Sequence, residues 1–155
     1  MRGLWIAAVA AFGVDQLSKL IVVFGLNLKE VLILPVLPPF LVFRMGWNEG
    51  INFGLFSGAG ARWGLVALAV GISILLWRWA RGFDRPVARV AAGLVIGGAL
   101  ANALDRVLYG AVADFLNMSC CGIRNPFAFN LADVFIFAGA AGLVIWGETE
   151  KKKTP

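Results

Sequence analysis

Four stretches of apolar residues, near Leu4–Phe24, Arg62–Ala80, Val87–Leu108 and Leu131–Gly147, approach the roughly 20 residues that cross the hydrocarbon core as a helix. They predict four transmembrane helices. The first resembles a secretory signal peptide in length and apolarity. It lacks an obvious small-residue cleavage site and carries Asp15 and Lys19 inside its apolar run, so it reads as a retained span. Between the first two spans, Val31–Leu34 and Phe40–Met45 are β-rich runs separated by Pro35, Pro38 and Pro39. They predict a small antiparallel sheet or hairpin on the membrane surface. The glycine-rich NEGINFGLFSGAG that follows predicts a short interfacial helix or loop. The third span has a definite face, because Gly93, Gly97 and Ala101 recur every four residues and Asp105 continues the stripe. Small residues at that spacing let helices approach closely in lipid. The expected fold is thus an all-α integral membrane protein with a small external β-rich subdomain.

Composition agrees with lipid as the solvent. Hydrophobic residues make up 60% of the 155 and charged residues 15%, against about 45–50% and about 25% in soluble domains. The net charge of +5 would lie on one polar face in a nucleic-acid binder. Here Arg78, Arg81, Arg85, Arg89 and Lys151 to Lys153 stand where apolar runs stop, the pattern of a topology signal and not of DNA or RNA binding. Short loops rich in Lys and Arg stay cytoplasmic. Both termini are therefore expected inside, with residues 25–61 and 109–130 on the external side. Trp5, Trp63, Trp77, Trp79 and Trp146 fall at segment ends, where indoles favour the interface.

The chain has no histidine and only two cysteines, the adjacent Cys120 and Cys121. This excludes a Ser-His-Asp triad, a Cys-His pair, a His-based zinc site and a disulfide framework. Chemistry must rest on carboxylates, hydroxyls, lysine or the thiols. The cysteines read as a loop feature without a catalytic part. Ser18 and Lys19 are adjacent on a helix, about 100° apart, and cannot easily form a dyad. Lys19 reads instead as the i,i+4 neutraliser of Asp15.

Carboxylates at membrane depth are costly, so Asp105, Asp114 and Asp133 need a reason. Asn102 and Asp105 share one face of the third span, with Arg106 able to neutralise a neighbouring acid. Asp105 fits a satisfied packing network as well as it fits chemistry. Asn130-Leu-Ala-Asp133 is a helix-start pattern, and a cap alone would account for it. Asp114 follows Gly110 between apolar neighbours, where a carboxyl pKa rises. Two carboxylates in unlike environments are what a water-activating dyad requires.

These elements resemble the bacterial lipoprotein signal peptidases (signal peptidase II). The resemblance rests on Asp15-Gln-Leu-Ser-Lys19, Asn48-Glu-Gly50-Ile-Asn-Phe53-Gly54, Gly97 through Arg106-Val, Val112-Ala-Asp114-Phe115 and Phe129-Asn130-Leu-Ala132-Asp133, in that order across nearly the whole chain. It implies that residues 1–155 form one membrane-embedded peptidase domain with Asp114 and Asp133 as catalytic aspartates. Asp15, Asn48, Gly50, Asn102, Asp105, Arg106 and Asn130 would support the site or bind substrate, with Lys19 beside Asp15. The implied reaction is hydrolysis of the peptide bond before a diacylglyceryl-cysteine in a prolipoprotein, without metal or organic cofactor. The implied setting is a monomer among the lipids of the bacterial inner membrane, its site near the periplasmic face. Asn48–Gly60 would form a mobile lid, with Phe53 or Phe56 touching acyl chains. Two departures, Ile51-Asn52-Phe53 after the Asn-x-Gly motif and Ala113 in place of a valine, bear on loop packing and pocket shape. A transporter would spread its acids along a pathway, whereas these cluster towards one side. An assembly factor would have no use for them.

Overall fold

The computed structural model describes residues 1–50 and 59–147. Helix α1 (Arg2–Lys19) widens into a π-helical turn at Leu20–Gly25, followed by the single turn α2 (Leu28–Val31). Strands β1 (Ile33–Leu37) and β2 (Leu41–Asn48) precede helices α3 (Ala59–Ala80) and α4 (Pro86–Tyr109). Strand β3 (Val112–Met118) and helix α5 (Leu131–Trp146) complete the chain. Pro86 opens α4 at its first turn, where its missing N–H has no intrahelical partner to lose. Gly110 closes the helix at φ 84° and turns the chain directly into β3.

Helix α4 is the centre of the bundle. Carbons added at Gly93 and Gly97 would run into the carbonyl oxygens of Leu4 and Ala8 on α1. On another side, one added at Gly98 would meet the Ala132 carbonyl of α5, and one at Gly139 would meet that of Ala91. The small-residue stripe of the third span is therefore where α1 packs, with Ala101 and Asp105 fully buried along it. Helices α1 and α4 run parallel, and α5 runs against them. Helix α3 also runs antiparallel to α4, and its Arg62 Nη2 donates to Val107 O at 2.6 Å. The last turns of α1 and α4 and the first turns of α3 and α5 consequently share one end of the bundle with the sheet. The Arg78–Arg89 connection lies at the other end, where Arg89 Nε donates to Phe83 O at 2.8 Å. Phe83, Ala80, Leu4 and Ala88 form the core there. A second core of Val22, Val23, Leu28, Ala113 and Phe115 lies beneath the sheet.

The structure refines three of these expectations. Arg2–Gly25, Gly60–Ala80 and Pro86–Tyr109 are long and apolar enough to cross a membrane, whereas the apolar α5 has 16 residues, about 24 Å at 1.5 Å per residue. Among the described residues there are thus three helices of spanning length and a shorter fourth. The expected small antiparallel sheet or hairpin is a sheet of three strands, in the order β1-β2-β3. Its third strand comes from residues read only as an external connection. Strand β1 begins at Ile33, Val31 belongs to α2, and Pro35 lies within the strand. That is tolerated because β1 is an edge strand, where a missing N–H need not break a ladder. Most of the glycine-rich segment, residues 51–58 with Phe53 and Phe56, lies outside the described residues. The interfacial helix or loop and most of the lid expectation lie there too. So do Lys151–Lys153 of the tail.

Candidate active site

The site forms where α4, β3 and α5 meet at the sheet end of the bundle. Asn130, extended at φ −132°, is the N-cap of α5. Its side-chain oxygen accepts the Asp133 N–H at 2.9 Å, and Asp133 Oδ2 accepts the Asn130 N–H at 3.3 Å. This reciprocal capping box satisfies two backbone donors that a helix start leaves orphaned. The cap and the site are not alternatives, because the remaining atoms of both residues are used elsewhere. Asp133 Oδ1 accepts Asn102 Nδ2 from α4 at 2.9 Å. Asn130 Nδ2 donates to Asp114 Oδ1 at 2.7 Å and to Asn102 Oδ1 at 3.1 Å. One asparagine thus touches both aspartates.

Asp114 lies mid-strand in β3, opposite Gly46 of β2. Its second oxygen accepts Asn48 Nδ2 at 3.2 Å, and Asn48 Oδ1 takes the Gly50 N–H at 3.2 Å. Asp114 is 5% exposed, while Asp133 is partly open. Burial pushes the Asp114 carboxyl up to about 6, the negative charge of Asp133 adds to the rise, and the amide donors of Asn48 and Asn130 oppose it. The two carboxyls therefore sit in unlike surroundings while linked through one residue, Asn130, whose backbone N–H serves Asp133 and whose side-chain amide serves Asp114.

A second polar cluster lies deeper, between α1 and α4. Lys19 Nζ is 2.6 Å from Asp15 Oδ2 and 2.7 Å from Asp105 Oδ2. It also reaches Asn102 Oδ1 at 3.4 Å, so both clusters share Asn102. All three charged residues are buried. Among the described residues no three of the Asp, Glu and Cys side chains are grouped to hold a metal ion.

The family model for signal peptidase (SPase) II matches residues 7–147. The chain belongs to that family. It is 43% identical over 143 residues to a lipoprotein signal peptidase of Methylorubrum extorquens, covering 90% of this chain and 82% of that protein. It is 42% identical over 164 residues to one of Aeromonas hydrophila, covering 99% and 92%. Two solved structures described as bacterial membrane enzymes superpose with TM-scores of 0.75 and 0.78 at 27% and 28% identity. Each superposition covers 96% of this chain, and 93% and 92% of the respective solved chain. Membership makes the protein a membrane protease of lipoprotein processing.

Apart from residues 51–54 of the second motif, which lie outside the described residues, the structure gathers the residues that the motifs single out at the sheet end of the bundle, with one difference of partner and one addition. Arg106 was expected to neutralise an acid. Its Nη1 donates to Asn102 O at 3.3 Å, and the charges of Asp114, Asp105 and Asp133 act on its guanidinium, while among the described residues the close ion pair of Asp105 is with Lys19. Gln16, inside the first motif but not weighed there, donates to Asp105 Oδ1 at 2.8 Å and to Ala101 O at 3.3 Å. An amide inside an apolar run was the available signal. Ser18 Oγ donates to Asp15 O at 2.7 Å, as a backbone-satisfied helix serine does, and Lys19 is engaged by two carboxylates.

Cys120 and Cys121 are exposed and joined to each other in the turn after β3. A bridge between adjacent residues closes almost no chain and so adds little stability through loop entropy. Changing both to Ser is expected to keep the cleavage rate within about two-fold, since water activation needs no thiolate. Loss of turnover in the folded double variant, with inactivation of the parent by thiol reagents, would instead make a cysteine the nucleophile.

Proposed function

We propose that this protein is an aspartic endopeptidase that cleaves prolipoproteins just before their diacylglyceryl-cysteine, with Asp114 and Asp133 as the catalytic pair. The observation that carries the reading is Asn130, which holds both aspartates in one network while leaving one carboxyl buried and the other open. Asp133 stands at the α5 N-terminus, where the helix dipole favours negative charge, and acts as general base. Asp114, with its raised pKa, keeps a proton for the substrate carbonyl. Water attacks the carbonyl carbon while Asp133 takes a water proton and Asp114 passes its own to the carbonyl oxygen. Collapse of the tetrahedral diol returns a proton to Asp114, and Asp133 protonates the leaving nitrogen. The C–N bond breaks to give the carboxyl end of the signal peptide and the free amine of the lipidated cysteine.

The reading places α5 as a fourth span, both termini in the cytoplasm and the sheet end towards the external face. A lipidated substrate lies in the membrane, so a dyad beside the ends of α4 and α5 meets its scissile bond at the right depth. No metal or organic cofactor takes part. The protein acts as a monomer among membrane lipids, and Asn48 together with Gly50 and Arg106 contacts the substrate.

Purified protein in detergent is expected to cleave a diacylglyceryl-modified prolipoprotein equally well with and without a chelator. Loss of the Asp114 proton removes the acid, so kcat/KM, which reports the free enzyme, should fall as pH rises through about 6. A rise through that range would give Asp114 the role of ionised base and reverse the assignment.

A further inference from the structure

The dyad aspartates are positioned through their backbones as well as through their side chains. Ala132, the residue before Asp133, donates its N–H to Asp15 Oδ1 at 2.9 Å. Ala113, the residue before Asp114, donates its N–H to Asp105 Oδ2 at 3.1 Å. The acceptors belong to α1 and α4 respectively, and Lys19 Nζ pairs with both of them, at 2.6 and 2.7 Å. Gln16 closes the arrangement by donating to Asp105 Oδ1 at 2.8 Å and to Asp15 Oδ2 at 3.4 Å. One ammonium therefore ties together α1, α4, β3 and α5 at the peptide groups just ahead of the two aspartates.

Each of these bonds answers a local need that the segment itself cannot meet. The Ala132 N–H is one of the first-turn donors of α5, without an acceptor inside its own helix. The capping box serves the N–H groups of Asn130 and Asp133 and leaves that of Ala132 to Asp15. The Ala113 N–H belongs to a strand turned out of α4 by Gly110, and Asp105 on the last turns of α4 reaches forward to it. Burying two carboxylates and an ammonium is a poor way to gain stability, because apolar residues of similar volume often serve as well. What such a group does supply is fixed geometry, since it forms only when all its partners are in place.

We infer that Lys19, Asp15, Asp105 and Gln16 form a positioning clamp that sets the separation of Asp114 and Asp133 through the Ala113 and Ala132 amides. The inference rests on the dyad reading above and adds to it how the spacing of the pair is held. None of the four is a catalytic residue, for each acts through the backbone of its neighbour. Misplacing a reacting group by about 1 Å can lower a rate about 100-fold, so loosening either amide should lower kcat while substrate binding persists.

The test uses the full chain in detergent, with kcat and KM measured on a diacylglyceryl-modified prolipoprotein and amide exchange followed at Ala113 and Ala132. Asp15→Ala is expected to speed exchange at Ala132 alone, and Asp105→Ala at Ala113 alone. Lys19→Met is expected to speed both. Each should lose about 30-fold or more in kcat with KM within about three-fold, in line with the cost of misplacement. Asp15→Asn and Asp105→Asn keep an acceptor oxygen and should restore amide protection and about ten-fold of the lost kcat. Should Lys19→Met fail to fold, Gln16→Leu gives the milder form of the same loss, several-fold in kcat. Unchanged exchange of both amides in the alanine variants overturns the clamp, and so does a kcat loss that the asparagine variants do not rescue. Exchange decides the clamp independently of chemistry. Parental activity in Asp114→Asn would strike the dyad reading alone.

Discussion

Asp114→Asn and Asp133→Asn are each expected to nearly abolish cleavage, by about 10²–10⁴-fold, the usual share of one general acid or base. Asparagine keeps the outline of the carboxylate but can neither take a proton from water nor hold one for the carbonyl. The two variants should differ in stability. A carboxyl whose folded pKa lies above its unfolded value binds its proton more tightly in the folded state. Stability from that proton is present at low pH and is lost as pH rises from about 4 to about 6. Asp114→Asn has no such proton to lose, so its melting temperature relative to the parent should be higher at pH 8 than at pH 4.5. Thermal unfolding at the two pH values, beside the cleavage assay, separates a chemical role from a folding one. Substantial turnover in either well-folded variant removes that residue from the mechanism.

Replacing both Gly93 and Gly97 by valine is the change expected to damage the fold most. A Cβ at either position meets a backbone carbonyl of α1, Leu4 O or Ala8 O, and the Ala7 or Ala11 methyl at 2.9 Å. Backbone cannot swing aside as a side chain can, so the two helices must separate. Overpacking costs about 1–3 kcal/mol at one site, and these two sites press on one interface. Separation would also draw Asp15, Gln16 and Lys19 away from Asp105 and Ala132. The double variant should therefore lose its folded population or melt well below the parent, with cleavage lost in parallel. Gly64 and Gly71 on α3 are the control, because a Cβ there meets nothing within 4 Å. Valine at those positions should change stability little, as surface substitutions do. Equal loss in both pairs would mean that helix propensity, and not close approach, governs the glycines.

Much of this protein was legible in the sequence because the relevant signals are local. Continuous apolar runs marked the helices, since lipid permits few alternatives for a backbone that must satisfy its own hydrogen bonds. The Gly93–Gly97 stripe marked a close helix contact because a helix repeats its face every four residues, and the structure gives that contact to α1. Asn130 and Asp133 marked the start of α5 because capping acts across three residues. The motif order across the spans then pointed to the family.

Tertiary structure decided what depends on residues far apart in the chain. Strand β3 could not be read from residues 112–118, since its pairing partner is β2, more than 60 positions earlier. Its burial comes from packing over Val22, Val23 and Leu28. Arg106 stood next to Asp105 in sequence, yet Lys19 from another helix is the ion-pair partner. Adjacent residues on a helix point about 100° apart, while a parallel neighbour can aim its side chain straight at the acid. The same reason hid Gln16 and the second use of Asn130. A cap is a local matter of three residues, but the bridge from Asn130 to Asp114 exists only once β3 has been brought against the start of α5.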